Sequence, residues 1–305
     1  MKKFLTILLM GLVISSSIFA NGQSETEQKE SKTTIGFAVS TLSNEFFVMM
    51  KEAGEKKANE LGVDIITLDA QDSSEKQADQ VSDLINKKVD LIILNPVDSD
   101  ACVTSVYAAN DANIPVITVT RMANDGDVVQ HLDIDNKEAG ALVAEQVIKD
   151  FPNGCKVAVL EGIPGASSTN DRSAGFVNGI KGTNIEIVSS LSANYNREEG
   201  ATVMEDVLQG HPDIDVVYAH NDEMALGAVR AIDAAGLTGK IKVYGVDAVD
   251  DAINAIKVDE MRATVQQQPK LQMEMAMQSA IDYLNGKSVE SRINIPLKLL
   301  TKDNL

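Results

Sequence analysis

The sequence predicts an α/β protein built as two doubly wound, parallel-sheet lobes. Three observations point there. From residue 34 onward, short β-branched apolar runs alternate with longer stretches of helical period. The runs are apolar on both faces, as strands must be when helices cover both sides of a parallel sheet. They also form more than eight strand–helix units, with a natural break at residues 133–136, where VVQHLDIDN leads into a new helix; one ordinary open sheet rarely holds so many.

The first strand is TIGFAV (34–39), and the polar turn STLSN separates it from a helix over 45–61. In that helix Phe47, Met50, Gly54, Ala58 and Leu61 recur three to four apart as a core stripe. Phe46 lies about 100° off the stripe in the first turn, aimed beyond the strand ends. The strands DIITLD, DLIILN and PVITVT follow, separated by helices over 74–87 and 100–112, and VVQHLDI precedes a helix over 137–149. The second half repeats the pattern with CKVAVLEG, EIVSSL, DVVYAH, KVYGVD and RATVQQ, alternating with helices over 168–182, 197–208, 222–236, 249–257 and 270–285. Within DIDN, Asp135 or Asn136 reads as a helix cap, because KEAG follows without the remaining ligands of a calcium loop.

At 305 residues and 44% hydrophobic content the chain has material for two cores. Its start, MKKFLTILLMGLVISSSIFA, reads as a cleaved export signal over 1–20: a basic end, an apolar run and small residues before Ala20. The apolar run is shorter than the roughly 20 residues a membrane span needs, and no cysteine follows it to carry a lipid. NGQSETEQKESK (21–32) reads as a flexible leader. The net charge of −18, about −20 once Lys2 and Lys3 leave with the signal, repels phosphate backbones, so nucleic acid is not expected as a partner. Cys102 and Cys155 are expected as two buried thiols.

Familiar catalytic patterns are missing. No G-x-G-x-x-G follows a strand, and GKS at 286–288 lacks the preceding glycine of a phosphate loop. His131, His211 and His220 are not spaced as metal ligands, and there is no nucleophile elbow. The expectation is therefore no enzyme, no cofactor and no metal. What strand ends do carry is polar: Ser40 and Asn44, Thr120 and Arg121, Asn221 and Asp222, and Asp247. Sugar hydroxyls donate and accept, so carboxylates, amides and guanidinium groups suit their edges. Aromatic rings suit their apolar C–H faces, and Phe46 and Phe47 are placed to wall such a slot.

The stretches STLSNEFF, NPVDSDA, NIPVITVTR, HNDEMALGA and VYGVDA together resemble the ribose-binding family of type I periplasmic monosaccharide-binding proteins, which serve ABC importers; the likeness runs from about 33 to 300. The resemblance implies two Rossmann-like lobes joined by a three-segment hinge, with crossings near 134, 267 and 296. It divides the chain into 33–134 plus 268–296 and 135–267 plus 297–305. It implies sugar contacts at Asn44, Phe46, Phe47, Arg121, Arg172, Tyr195, Asn221, Asp247 and Gln267. Each has a plainer reading: Asn44 as a helix cap, Phe47 as core, Arg172 in a surface ion pair, Tyr195 as an exposed loop residue.

One departure stands out. Where the family has aspartate before the arginine ending the fourth strand, this chain has Thr120. Arg121 and Arg172 would then face Asp247 alone, a surplus of one positive charge that either a ligand carboxylate or a nearby protein acid, with Glu45 as a candidate, is expected to balance. The expected protein is a monomeric, periplasmic binding protein for a monosaccharide, polyol or sugar acid. Its implied partners are an importer permease and, beyond transport, a chemoreceptor. The rival readings are the sensor core of a sugar-responsive transcription regulator and a sugar-modifying enzyme.

Overall fold

The computed structural model describes residues 32–305. The expected export signal and nearly all of the leader after it lie outside the described residues.

Six strands form a first sheet: β1 (Thr34–Val39), β2 (Asp64–Asp69), β3 (Leu91–Leu94), β4 (Val116–Val119), β5 (Val128–Asp133) and β11 (Arg292–Asn294). Its order is β11-β5-β4-β3-β1-β2, all parallel. The second sheet holds β6 (Lys156–Glu161), β7 (Glu186–Ser192), β8 (Val216–Ala219), β9 (Lys242–Asp247), β10 (Ala263–Gln266) and β12 (Lys298–Thr301), in the order β12-β10-β9-β8-β6-β7. Each sheet thus has the doubly wound order in which the first strand is flanked by the second and third. Connections part there, leaving a crevice at the carboxyl ends of the strands.

The helices between them are α1 (Glu45–Leu61), α2 (Ser74–Asn86), α3 (Val103–Asp111), α4 (Asn136–Asp150), α5 (Ser167–Gly179), α6 (Arg197–Gly210), α7 (Asp222–Ala234), α8 (Asp250–Lys257) and α9 (Pro269–Leu284). Their starts follow cap chemistry: Asn44, Ser73, Asp135, Asn196 and Asn221 each accept a first-turn backbone N–H. Of the two cap candidates in DIDN, Asp135 is the one used. The third helix starts later than the expected residue 100, because Asp98 Oδ1 accepts from Asp100 N at 2.8 Å and Ala101 N at 2.7 Å and holds a turn there. Cys102 and Cys155 are free and buried, and desolvation pushes their thiols up to about 12 and about 11.

Two strands were not legible. β11 and β12 are three and four residues long, largely exposed at their starts, and lack alternation. β12 also runs antiparallel, Lys298 pairing with Gln266 and Thr301 with Ala263. The reason is topological: it enters from the carboxyl edge where β11 ends, and a three-residue connection cannot carry it round to start at the opposite edge.

The chain passes between the sheets at 134–135, 267–268 and 295–297. Packed against the second sheet, α4 and α5 approach so closely that two glycines face backbone: a Cβ on Gly140 would lie 2.3 Å from Arg172 O, and one on Gly175 would lie 2.1 Å from Lys137 O.

Candidate functional site

The carboxyl ends of both sheets face one another, and their connecting turns carry the polar residues singled out above. From the first sheet come Asn44, Phe46 and Phe47 after β1, and Thr120 and Arg121 after β4; from the second come Arg172 on α5, Tyr195 after β7, Asn221 after β8, Asp247 ending β9 and Gln267 after β10. All ten line a single cavity with about 300 Å³ of empty space, and so does Ser168. Ser168 was missed by sequence reasoning, although it lies one helical turn before Arg172, on the same face of α5.

Several residues combine two roles. Asn44 Oδ1 accepts from Phe46 N at 2.9 Å, and Asn221 Oδ1 from Met224 N at 3.0 Å, so each amide caps a helix with its oxygen; Asn221 Nδ2 also donates to Tyr195 O at 3.3 Å, which ties the turn after β8 to the turn after β7. Phe47 belongs to the core and still lines the cavity, its ring meeting Phe46 edge-on at 5.2 Å and 87°. Tyr195 is buried rather than exposed; its hydroxyl is 2.9 Å from both Ser168 Oγ and Thr169 Oγ1. A Cβ on Gly162 would lie 2.0 Å from Tyr195 Cζ, so only glycine lets that ring rest on the backbone. The Arg121 guanidinium sits between rings from the two sheets, 5.6 Å from Phe47 and 5.1 Å from Tyr195, in cation–π range.

Thr120, Tyr195 and Asp247 have φ of 61°, 58° and 142°, conformations that cost side-chain-bearing residues of order 1–3 kcal/mol each. For β-branched Thr120 the surroundings impose it: Thr120 N donates to Leu132 O at 2.9 Å and Arg121 N to Val119 O at 2.7 Å. Asn95 Oδ1 accepts from Ser40 N, and its Nδ2 donates to Val119 O and to Thr120 Oγ1. With its oxygen accepting from Asn95, the Thr120 hydroxyl has its own proton free, so position 120 can donate where a carboxylate would only accept.

The charges differ from expectation at two points. Glu45 does not line this cavity; it lines a neighbouring one of about 930 Å³ of empty space with Arg197 and Glu223. Burial, then Asp250, Asp251 and Glu223, raises its pKa against the pull of Arg197. The position adjacent to Phe46 turns about 100° around the helix, which carries Glu45 out of the pocket. Nor is Asp247 the lone acid near the arginines. Burial lowers the Arg121 pKa, and Asp72 and Asp133 act against that. Asp72 is exposed and therefore screened, whereas Asp133 is buried; burial raises its pKa, against the pull of His131 and Arg172.

Among the described residues Arg172 pairs with no surface carboxylate. Its Nε donates to Asn136 Oδ1 at 2.9 Å and its Nη1 to His220 O. His220 is pushed down to about 3 by burial and by the Arg172 charge, so it stays neutral. Asp247 is pushed well above the usual carboxylate range, by burial first and then by the charge of Asp222. Asp222 is itself raised to about 7 by burial, against bonds from Thr264 Oγ1 and Val249 N.

Comparison with known proteins adds context. A family model described as periplasmic binding protein domain matches residues 35–288. The chain is 46% identical over 269 residues to a ribose import binding protein of Bacillus subtilis, covering 88% of this chain and 87% of that one. It is 36% identical to the ribose import binding protein of Escherichia coli over 99% of both chains. Among solved structures, the Caulobacter myo-inositol binding protein bound to myo-inositol superposes with a TM-score of 0.87 at 34% identity, over 90% of this chain and 95% of that one. An Actinobacillus succinogenes solute-binding protein with bound D-allose gives 0.84 at 32%, over 90% and 99%.

Proposed function

This chain belongs to the family of periplasmic binding protein domains, and on that premise we propose that it captures a neutral monosaccharide or polyol between two lobes and delivers it to an ABC importer. The observation that carries the reading is the convergence of two sheets on one buried cavity lined by aromatic rings and by both donors and acceptors. Phe46, Phe47 and Tyr195 offer flat apolar surface. Asn44, Arg121 and Arg172 donate, Asp247 accepts, and Gln267 Oε1 is a buried acceptor without a hydrogen-bond partner among the described residues. Asp133 supplies a buried acid beside the arginines, so the pocket does not need a carboxylate from its ligand.

The lobes are 33–134 plus 268–296 and 135–267 plus 297–305, and they move about the three crossings. In the form described, the cleft is shut by hydrogen bonds between them: Ser167 N to Ser99 Oγ at 3.1 Å, Ser99 N to Gly165 O at 3.2 Å and Met122 N to Ser167 Oγ at 3.2 Å. Opening breaks these bonds, and a bound sugar adds contacts to both lobes that favour closure. Capture and release involve no covalent step, so the sugar leaves unchanged. Export by a cleaved signal places the protein in the periplasm.

A thermal-shift panel of D-ribose, D-allose, myo-inositol and D-ribonate on protein recovered from the cell envelope tests the reading. At about 1,000 times Kd a ligand stabilises by about 4 kcal/mol, a Tm rise of about 8–16 °C. A neutral compound is expected to give that shift and to be recovered chemically intact, with an intact protein mass starting near Asn21. A response to none of them, or to D-ribonate alone, rejects the proposed ligand class.

A further inference from the structure

The second-lobe arginine is anchored to the hinge through a chain of buried side chains. Asp133 is the last residue of β5, and residue 134 begins the first crossing. Its Oδ1 accepts from Ile134 N at 2.7 Å and its Oδ2 from Asn136 Nδ2 at 2.6 Å. Asn136 Oδ1 then accepts from Arg172 Nε at 2.9 Å. All three side chains belong to residues no more than 5% exposed. The orientation of Asn136 is therefore dictated: a carboxylate can only accept and a guanidinium can only donate, so the amide cannot be reversed.

Two observations separate this chain from helix capping. Asp135 already caps α4, accepting from Lys137 N and Glu138 N at 3.0 Å each, so the Asn136 side chain is free for another task. The carbonyl of Asp133 also accepts from Ile295 N at 2.8 Å, in the third crossing, so one residue joins two hinge segments. At the far end, Arg172 Nη1 is held by His220 O, and among the described residues Nη2 has no hydrogen-bond partner while the side chain lines the cavity. The groups around Asp133 are His131, whose Nε2 is 3.8 Å from Oδ2, and the two arginines.

We propose that Asp133 is a positioning residue for ligand capture: acting from the hinge through Asn136, it aims the Arg172 guanidinium into the cleft and ties that aim to the hinge geometry. Because the Asp133–Asn136 bond spans the crossing itself, hinge rotation at 134–135 changes it directly. The binding consequence rests on the sugar-binding reading above, but the aim of Arg172 does not.

Asp133→Asn tests it with almost no change of shape. An amide at 133 must turn a donor toward either Ile134 N or Asn136 Nδ2. One donor–donor contact results, and relieving it by reversing Asn136 sets a second donor against Arg172 Nε. In the ligand-free protein, the NMR signal of the Arg172 Nε proton, assigned by its loss in Arg172→Lys, is expected to shift and to exchange faster in the variant. An unmoved, equally protected signal overturns the proposal whatever the ligand is. With D-ribose, or whichever panel compound binds, affinity is expected to fall about 10-fold in wild type and less than about 2-fold in an Arg172→Lys background. Equal losses in both backgrounds, or a lowered Tm with unchanged affinity, would mark a merely structural role. Adding Thr120→Asp, one strand over, restores the charge but not the chain of bonds; full recovery of affinity there would also overturn the proposal, in favour of charge alone. If no panel compound binds, the sugar reading fails while the NMR arm still decides this one.

Discussion

Asp247→Asn is expected to weaken binding of the panel sugar by about 100-fold or more and, at pH 8, to raise the Tm of the ligand-free protein. The loss follows from the acceptor removed. A carboxylate taking two sugar hydroxyls makes charge-assisted hydrogen bonds of about 1.5–3 kcal/mol each, and about 1.4 kcal/mol is a factor of ten. The gain in Tm follows from the environment. Asp247 is buried, and its carboxyl is held well above the ordinary range by burial and then by the charge of Asp222. An acid whose pKa is higher folded than unfolded binds more protons in the folded state, so stability falls as pH rises. The window runs from the ordinary carboxylate range up through the value of about 7 for Asp222. Wild-type Tm should therefore fall between pH 5 and pH 8 without ligand, and fall less in the variant. Calorimetry showing unchanged affinity would remove Asp247 from the site; identical pH profiles would refute the buried-charge account.

Gly140→Ala sets sequence and structure against each other in sign. Helix propensity alone favours alanine over glycine by about 1 kcal/mol within a helix such as α4. The packing says the reverse: the added Cβ would lie 2.3 Å from Arg172 O and 2.8 Å from Phe176 N. These are backbone atoms of α5 and cannot rotate away, so the helices must separate. Overpacking of this kind costs about 3 kcal/mol, a Tm lower by about 6–12 °C. Arg172 moves with α5, so affinity should drop as well. A Tm that rises would show that the helices part freely and would undo the packing argument.

Much of the cavity lining was legible because doubly wound sheets leave a crevice at strand ends, and polar residues there are conspicuous against β-branched runs. Asn44, Arg121, Asn221 and Asp247 could be picked out that way. Tyr195 and Arg172 came from the family resemblance; nothing local told a buried tyrosine from an exposed one. A nearby protein acid was expected, but Glu45 was the candidate and Asp133 was passed over because it read as part of a capping segment. Its approach to the arginines depends on β5 lying beside β4, a pairing to which the DIDN pattern contributes nothing.

The sequence by itself determined the α/β class, nearly every strand and helix, the caps at Asn44 and within DIDN, and the kinds of side chain at the strand ends, since these rest on patterns local to the chain. Tertiary structure alone decided that β11 and β12 exist and that β12 runs backward, that Gly140 and Gly175 face backbone, that Glu45 turns out of the pocket, and that Asp133 reaches Arg172 through Asn136. Those outcomes depend on which distant segments become neighbours and on how much water is lost between them, and neither quantity has a local signature.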